Sequence, residues 1–307
     1  MNRSLPARMF CLLALVAVAA GCASTPVDVA SRPSTDLEGE NADLIFATEY
    51  PVSSREDALY RADVARKEGQ IDKALYFYVK ALEFDPEDAD LLAAIGYLHQ
   101  YRGNTVMAVR AYSLALNVRP DFADVLEARG LILLVNRENE RAAVDFARAV
   151  GIEPNAWRSH NGLGLLADRR EDHVAAIAHY DSALRLNPNS GAILNNRGYS
   201  KMLAGDLAGA EEDLRLAATV FNHEQAWVNL GVLYARQGRY DVAVAAYEEA
   251  LPRPEALNKV AEASIEDGRY DTALHLLEQA IRLSPTYFPA AEENLARLAS
   301  MRDSGDR

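Results

Sequence analysis

Apolar positions recur along most of this chain at helical spacing, in pairs of runs separated by a short polar break. The clearest pair is ADLLAAIGYLHQYRGNTVMAVRAYSLALNVRPDF, Ala89 to Phe122. Leu92, Ile95, Gly96 and His99 follow i, i+3, i+4, i+7 and therefore share one helix face. After Gly103, the residues Ala108, Tyr112 and Ala115 follow i, i+4, i+7 and mark a second helix. Pro120 closes that helix, because the residue before a proline is driven out of the α region. The pattern predicts a helix–turn–helix unit of about 34 residues.

The unit repeats. Pro86, Pro120, Pro154 and Pro188 each lie 34 residues apart. A small residue recurs in the first helix as Ala62, Gly96, Gly130, Gly164, Gly198, Gly231 and Ala261. The second helix carries Ala74, Ala108, Ala142, Ala176, Ala210, Ala243 and Ala273, and seven residues later Ala81, Ala115, Ala149, Ala183, Ala217, Ala250 and Ala280. Between the two alanines stands a large residue: Tyr78, Tyr112, Phe146, Tyr180, Leu214, Tyr247 or Leu277. Small–large–small spacing lets two helices approach closely while the large group fills the groove between them. At these residues the sequence resembles the tetratricopeptide repeat (TPR) family. The resemblance implies an all-α fold, a right-handed α-solenoid of about seven helix hairpins. The units run Arg55–Asp88, Ala89–Phe122, Ala123–Ala156, Trp157–Ser190, Gly191–His223, Glu224–Arg253 and Pro254–Tyr287. The sixth is crowded at its end by Pro252 and Pro254, which predicts a shortened helix. Residues 288–307 hold one more helix, Phe288 to Met301, and a tail; that helix caps the apolar face of the last unit.

The N-terminal region is of a different kind. Arg3 and Arg8 precede a short apolar run, Phe10 to Val18, too short to span a bilayer, which needs about 20 residues. Ala19, Ala20, Gly21 and Cys22 follow. This resembles the lipobox of bacterial lipoproteins, although Leu is commoner where Ala19 stands. The resemblance implies that residues 1–21 are removed and that Cys22 is acylated, becoming the first residue of the mature protein. The other reading is an ordinary signal peptide with an incidental Cys. Cys11 leaves with the signal under either reading. An acylated Cys22 leaves no thiol for a disulfide, so packing alone holds the fold. The residues after Cys22 are Ala23 and Ser24, not the Asp that tends to retain such proteins at the inner membrane. The resemblance therefore implies the periplasmic face of the outer membrane. Residues 22–54 are rich in Ser, Thr, Pro and acids and lack helical periodicity, as a tether would. Leu44, Ile45 and Phe46 interrupt it; they dock on the first repeat or bind something else.

Charge narrows the partners. The chain has 45 acidic against 32 basic side chains, a net charge of −13, which argues against nucleic acid as a ligand. Catalytic constellations do not emerge. The six histidines form no HExxH, and no P-loop or nucleophile elbow occurs. GLGLL at Gly162–Leu166 lies inside a helix rather than after a strand. The reading is of a non-enzymatic protein without cofactor or metal. Paired acids such as Glu211–Glu212 and Glu248–Glu249 read as solvated helix faces.

A TPR array presents a concave groove lined by first helices, suited to an extended or helical peptide. Asn161, Asn195 and Asn258 stand at the fifth position of their units, Asn196 and Asn229 at the sixth. An Asn amide donates and accepts, and can bond both groups of a peptide backbone. The alternative is that these amides satisfy polar groups of the helices themselves. Tyr97 and Tyr199 are further groove candidates, and Asp63, Asp90, Asp124 and Glu127 make the early groove acidic.

The stretch LNNRGYSKMLAGDLAGAEEDLRLA, Leu194 to Ala217, resembles the TPR lipoproteins of tight-adherence (Flp) pilus systems, the TadD type. That resemblance implies a scaffold supporting assembly of the pilus secretin. Type IV pilotins, and periplasmic adaptors for peptidoglycan hydrolases or proteases, are the alternatives.

Overall fold

The structure, a computed structural model, describes residues 50–305. Cys22, the signal segment and nearly all of the tether lie outside the described residues. Fifteen helices follow one another in the unit that begins at Ser54, with no strand among the described residues. Fourteen of them pair as seven hairpins: α1 (Arg55–Lys67) with α2 (Ile71–Phe84), α3 (Ala89–Tyr101) with α4 (Thr105–Val118), and α5 (Ala123–Val135) with α6 (Asn139–Ile152). Then come α7 (Trp157–Arg169) with α8 (His173–Leu186), α9 (Gly191–Leu203) with α10 (Leu207–Thr219), α11 (Glu224–Arg236) with α12 (Tyr240–Glu248), and α13 (Arg253–Glu266) with α14 (Tyr270–Leu283). The last helix, α15 (Pro289–Gly305), has no hairpin partner.

Each hairpin turns in the same way. The first helix ends in a residue with positive φ: Gly69, Gly103, Arg137, Glu171, Gly205, Gly238 or Gly268. The next N–H reaches back five residues to a carbonyl of the helix, at 2.8–3.0 Å, in all seven repeats, from Gln70 to Ala65 through Arg269 to Ser264. This is the Schellman arrangement, which satisfies carbonyls left over at a helix end. Five repeats use Gly, which enters the left-handed region without steric cost; two do not.

The core follows from the small–large–small pattern. All seven alanines from Ala74 to Ala273 are fully buried, as are Tyr112, Phe146, Tyr180 and Leu214. The ring seats against the small residue of its own first helix. A β-carbon on Gly96 would lie 2.4 Å from Tyr112 Cε1, and one on Gly164 2.5 Å from Tyr180 Cε1. Gly162 has an equivalent role across the repeat boundary, where a β-carbon would lie 2.5 Å from Phe146.

Every helix packs on its neighbours in sequence, and from α5 onward the first helices also touch one another: α5 with α7, α7 with α9, α9 with α11, α11 with α13, and α13 with α15. The first helices are thus the inner layer of an all-α solenoid and form its continuous face. At the C-terminal end, α15 buries Ala291 and Leu298, one helical face seven residues apart, against α14 and α13. Its observed span starts at Pro289 and extends to Gly305, four residues beyond Met301. The seventh hairpin starts at Arg253 rather than Pro254, with Pro254 in the first turn, where its missing N–H has no helical acceptor to lose. In the sixth hairpin α12 has nine residues, against thirteen or fourteen in the other second helices.

Candidate interaction face

The face formed by α3, α5, α7, α9, α11 and α13 is the candidate site. The fifth-position side chains on it reach mostly toward the next first helix. Asn229 Nδ2 donates to Asn195 Oδ1 at 2.7 Å, and Asn196 Nδ2 donates to Asn161 Oδ1 at 3.3 Å. Asn294 on α15 donates to Asn258 Oδ1 at 2.9 Å. One repeat earlier Glu127 does the same work, accepting from Ser159 N at 3.1 Å and Ser159 Oγ at 2.9 Å.

This corrects the groove reading for three residues. Asn195, Asn229 and Asn258 are only 6, 4 and 4% exposed. Their amides join successive repeats instead of facing a ligand. The physical reason is the close approach of adjacent first helices, which buries polar groups and makes them pair with one another. Asn161 and Asn196 are half-buried and keep an open edge on the face. Tyr199 is half-buried against the core, while Tyr97 is 42% exposed and edge-to-face with Tyr112 at 5.3 Å. Partial burial, then the carboxylates of Asp124 and Glu127, push the Tyr97 phenol up to about 12, so it stays protonated and able to donate. A shallow recess beside it is lined by Asp124, Glu127, Glu153, Trp157 and Arg158. Arg158 lies 4.5 Å above the Trp157 ring and 3.6 Å from Glu127.

Two buried charge clusters behind this face are absent from the sequence reading. Arg129 pairs with both oxygens of Asp145 at 2.7 Å and donates to Ser113 Oγ at 3.0 Å. Two repeats later Arg197 pairs with Asp213 at 2.6 and 2.7 Å and reaches Asp181 at 2.7 Å. In each case the Arg is on a first helix, one acid is 16 residues later, and the third partner is 16 residues earlier in the preceding repeat. That spacing was the available signal. Glu211 is also more than a solvated acid, since it accepts from the Tyr234 hydroxyl at 2.9 Å.

Further polar contacts join the two helices of a hairpin. The hydroxyls of Tyr78, Tyr112 and Tyr180 donate to Asp63, Gln100 and Asp168 at 2.6, 2.6 and 2.8 Å. Asp168 also accepts from Ser200 Oγ at 2.6 Å and pairs with His173 at 3.0 Å. Burial, reinforced by Asp168, holds the Tyr180 phenol well above its usual range, so this hydroxyl is a fixed donor. Among the described residues no group of three or more His, Cys, Asp or Glu side chains is placed to hold a metal ion. No described helix is long and apolar enough to cross a membrane.

Comparison with known proteins agrees with this geometry. Tetratricopeptide repeat family models match residues 137–191 and 162–220, 224–251, and 254–287. This is a tetratricopeptide repeat protein. Its TPR segment is similar to mouse (Mus musculus) tetratricopeptide repeat protein 36, 35% identical over 92 residues, which is 28% of this chain and 50% of that protein. It is also similar to the bovine (Bos taurus) BBSome complex member BBS4, 29% identical over 138 residues, 44% of this chain and 26% of that one. The chain thus spans about half or less of the length of these relatives. Among solved structures, a TPR protein from Parabacteroides merdae has a TM-score of 0.57 at 17% identity, covering 80% of this chain and 98% of that one. The Cut9–Hcn1 assembly of APC/C has a TM-score of 0.55 at 17% identity, covering 84% of this chain and 51% of that one. These structures show the shared solenoid. TPR arrays are protein-interaction scaffolds, and the fold is generally non-catalytic.

Proposed function

We propose that this TPR protein is a scaffold lipoprotein at the periplasmic face of the outer membrane, tethered through acylated Cys22, and that its inner face holds a peptide segment of a partner during assembly of a tight-adherence pilus secretin. One observation carries the binding part of this reading: from α5 onward successive first helices touch and form an unbroken face on which Asn161 and Asn196 remain accessible, with the exposed Tyr97 on α3 in the repeat before it. Two half-buried amides and a permanently protonated phenol offer directional hydrogen bonds without a reactive group. The lipobox resemblance supports the anchor, and the Leu194–Ala217 resemblance supports the pilus system.

The test is cross-linking in intact envelopes, comparing wild type with Cys22→Ala and with Tyr97→Ala/Asn161→Ala/Asn196→Ala. Wild type should be acyl-labelled and cross-link to the secretin. Cys22→Ala should lose the label and leave the membrane fraction. The triple variant should stay anchored and helical but lose the cross-link at least tenfold. Equal cross-linking by the triple variant would remove the face from the reading. Recovery of a cell-wall hydrolase instead of a secretin would move the protein to the adaptor class.

A further inference from the structure

A cation is missing from the third repeat at a place where the second repeat supplies one. In the second repeat Asp90 pairs with Arg119, 29 residues later, and the Arg119 guanidinium lies 4.2 Å over the Phe122 ring. One repeat further on, Asp124, Glu153 and Ala156 stand in the places of Asp90, Arg119 and Phe122. An acid has replaced the arginine, and a methyl group has replaced the ring beneath it. At that place, on the joint between the third and fourth repeats, is the recess lined by Asp124, Glu127, Glu153, Ala156, Trp157 and Arg158.

The recess is short of positive charge. Three carboxylates line it against one guanidinium, that of Arg158. Arg158 is already engaged, 4.5 Å over the Trp157 ring and 3.6 Å from Glu127 Oε1. The other Glu127 oxygen accepts from Ser159 N and Oγ. The side chains of Asp124 and Glu153 are exposed and have no hydrogen bond or ion pair among the described residues. Like charges held close without a counter-ion repel, and a cation between them relieves that repulsion. Trp157 forms an aromatic wall beside them, and Arg158 shows that this ring holds a guanidinium.

We infer that this recess takes one basic side chain, arginine in preference to lysine, from the partner segment held on the inner face. The inference rests on that reading of the inner face and adds the chemistry of the guest. The guest's guanidinium stands where the third repeat lacks a counterpart of Arg119, between Asp124 and Glu153 and beside Trp157. A planar guanidinium can bond a carboxylate and lie on a ring at the same time, as Arg119 does with Asp90 and Phe122. The chain's net charge of −13 draws a basic segment toward the protein and keeps acidic ones away. The anchor is a single point, because the matching acid of the second repeat is already neutralised by Arg119.

The full chain is titrated at physiological salt with acetyl-Ala-Ala-Arg-Ala-Ala-amide and with its citrulline analogue, which keeps the shape of arginine without the charge. The Trp157 indole N–H signal is followed by NMR. In wild type it should shift saturably with the arginine peptide only. Asp124→Asn/Glu153→Gln should weaken binding at least fivefold. Glu153→Arg rebuilds the pair of the second repeat, so it should fill the recess from within and abolish the shift. Both positions are exposed, so the variants should keep the helical circular dichroism of wild type. No saturable shift in wild type, an equal response to the citrulline peptide, or undiminished binding in either variant would each overturn the assignment. Cross-linking in intact envelopes separates this inference from the reading it rests on. If the anchor alone is wrong, Asp124→Asn/Glu153→Gln keeps the partner while Tyr97→Ala/Asn161→Ala/Asn196→Ala loses it; if the inner face is wrong, the triple variant keeps the partner as well.

Discussion

The smallest determinant of this fold is one missing β-carbon. Gly164 lets the Tyr180 ring lie against the α7 backbone, and the ring's hydroxyl then reaches Asp168. Gly164→Leu drives a side chain into a fully buried ring, so it should destabilise the array by about 1–3 kcal/mol, measurable as a lowered urea midpoint. An unchanged midpoint would show that the ring is free to move. Histidine titration gives a second residue-scale expectation. Burial lowers the pKa of His99, His179 and His223; Arg102 adds to the effect at His99, and His160 and Arg170 at His179. The unfolded chain therefore takes up these protons more readily than the folded one. Stability is unaffected by them above about pH 6.5 and is lost as pH falls below it, toward the lower folded values. The melting temperature should decline from pH 7 to 5, and replacing His179 with Gln should flatten that decline. The glycines and rings were legible in the sequence because each has one size and one spacing. The fate of Asn195 was not, because an amide serves a ligand and a neighbouring repeat equally well, and only burial distinguishes the two.

At the scale of the helix, two kinds of joint hold repeat to repeat. Apolar packing is the first, and its periodicity was readable along the chain. The second is polar, and it was unread because its partners lie in different hairpins. Arg197 on α9 binds Asp213 on α10 and Asp181 on α8, so one side chain clamps three helices. Asp213 is only 5% exposed, although Lys201 also reaches it at 2.8 Å. Arg197→Met should therefore lower stability by about 3 kcal/mol, because it leaves a buried carboxylate short of its main partner. Adding Asp213→Leu should restore much of that loss, read in the same denaturation series; no recovery would mean the Arg acts through packing. The terminal element should behave differently. Deleting residues 289–307 uncovers the surface that Leu298 and Ala291 bury, and the truncated chain should melt earlier and self-associate in light scattering, since the last repeat then has an open apolar side.

For the molecule as a whole, the class of fold followed from repetition. Seven units that cannot bury their own faces must stack in file, whatever their surface carries. What the stack holds did not follow, because the inner face spends most of its amides internally and leaves only a few accessible groups. Stability in such an array is close to a sum of local terms, so hydrogen exchange should be fastest in the end repeats and slowest around α7 to α10, where the Arg197 clamp and the amide bridges coincide. Uniform protection would mean that the array opens as one unit. The short helix α12 adds a constraint of its own. The outer layer loses about five residues there, roughly 7 Å of helix, while the inner α11 keeps its thirteen. The shortened α12 should therefore shift the spacing of the inner helices between α11 and α13. A rod-like guest with evenly spaced anchors can stay in phase on one side of that step only, so a long guest would need two separate sets of anchors, offset from each other.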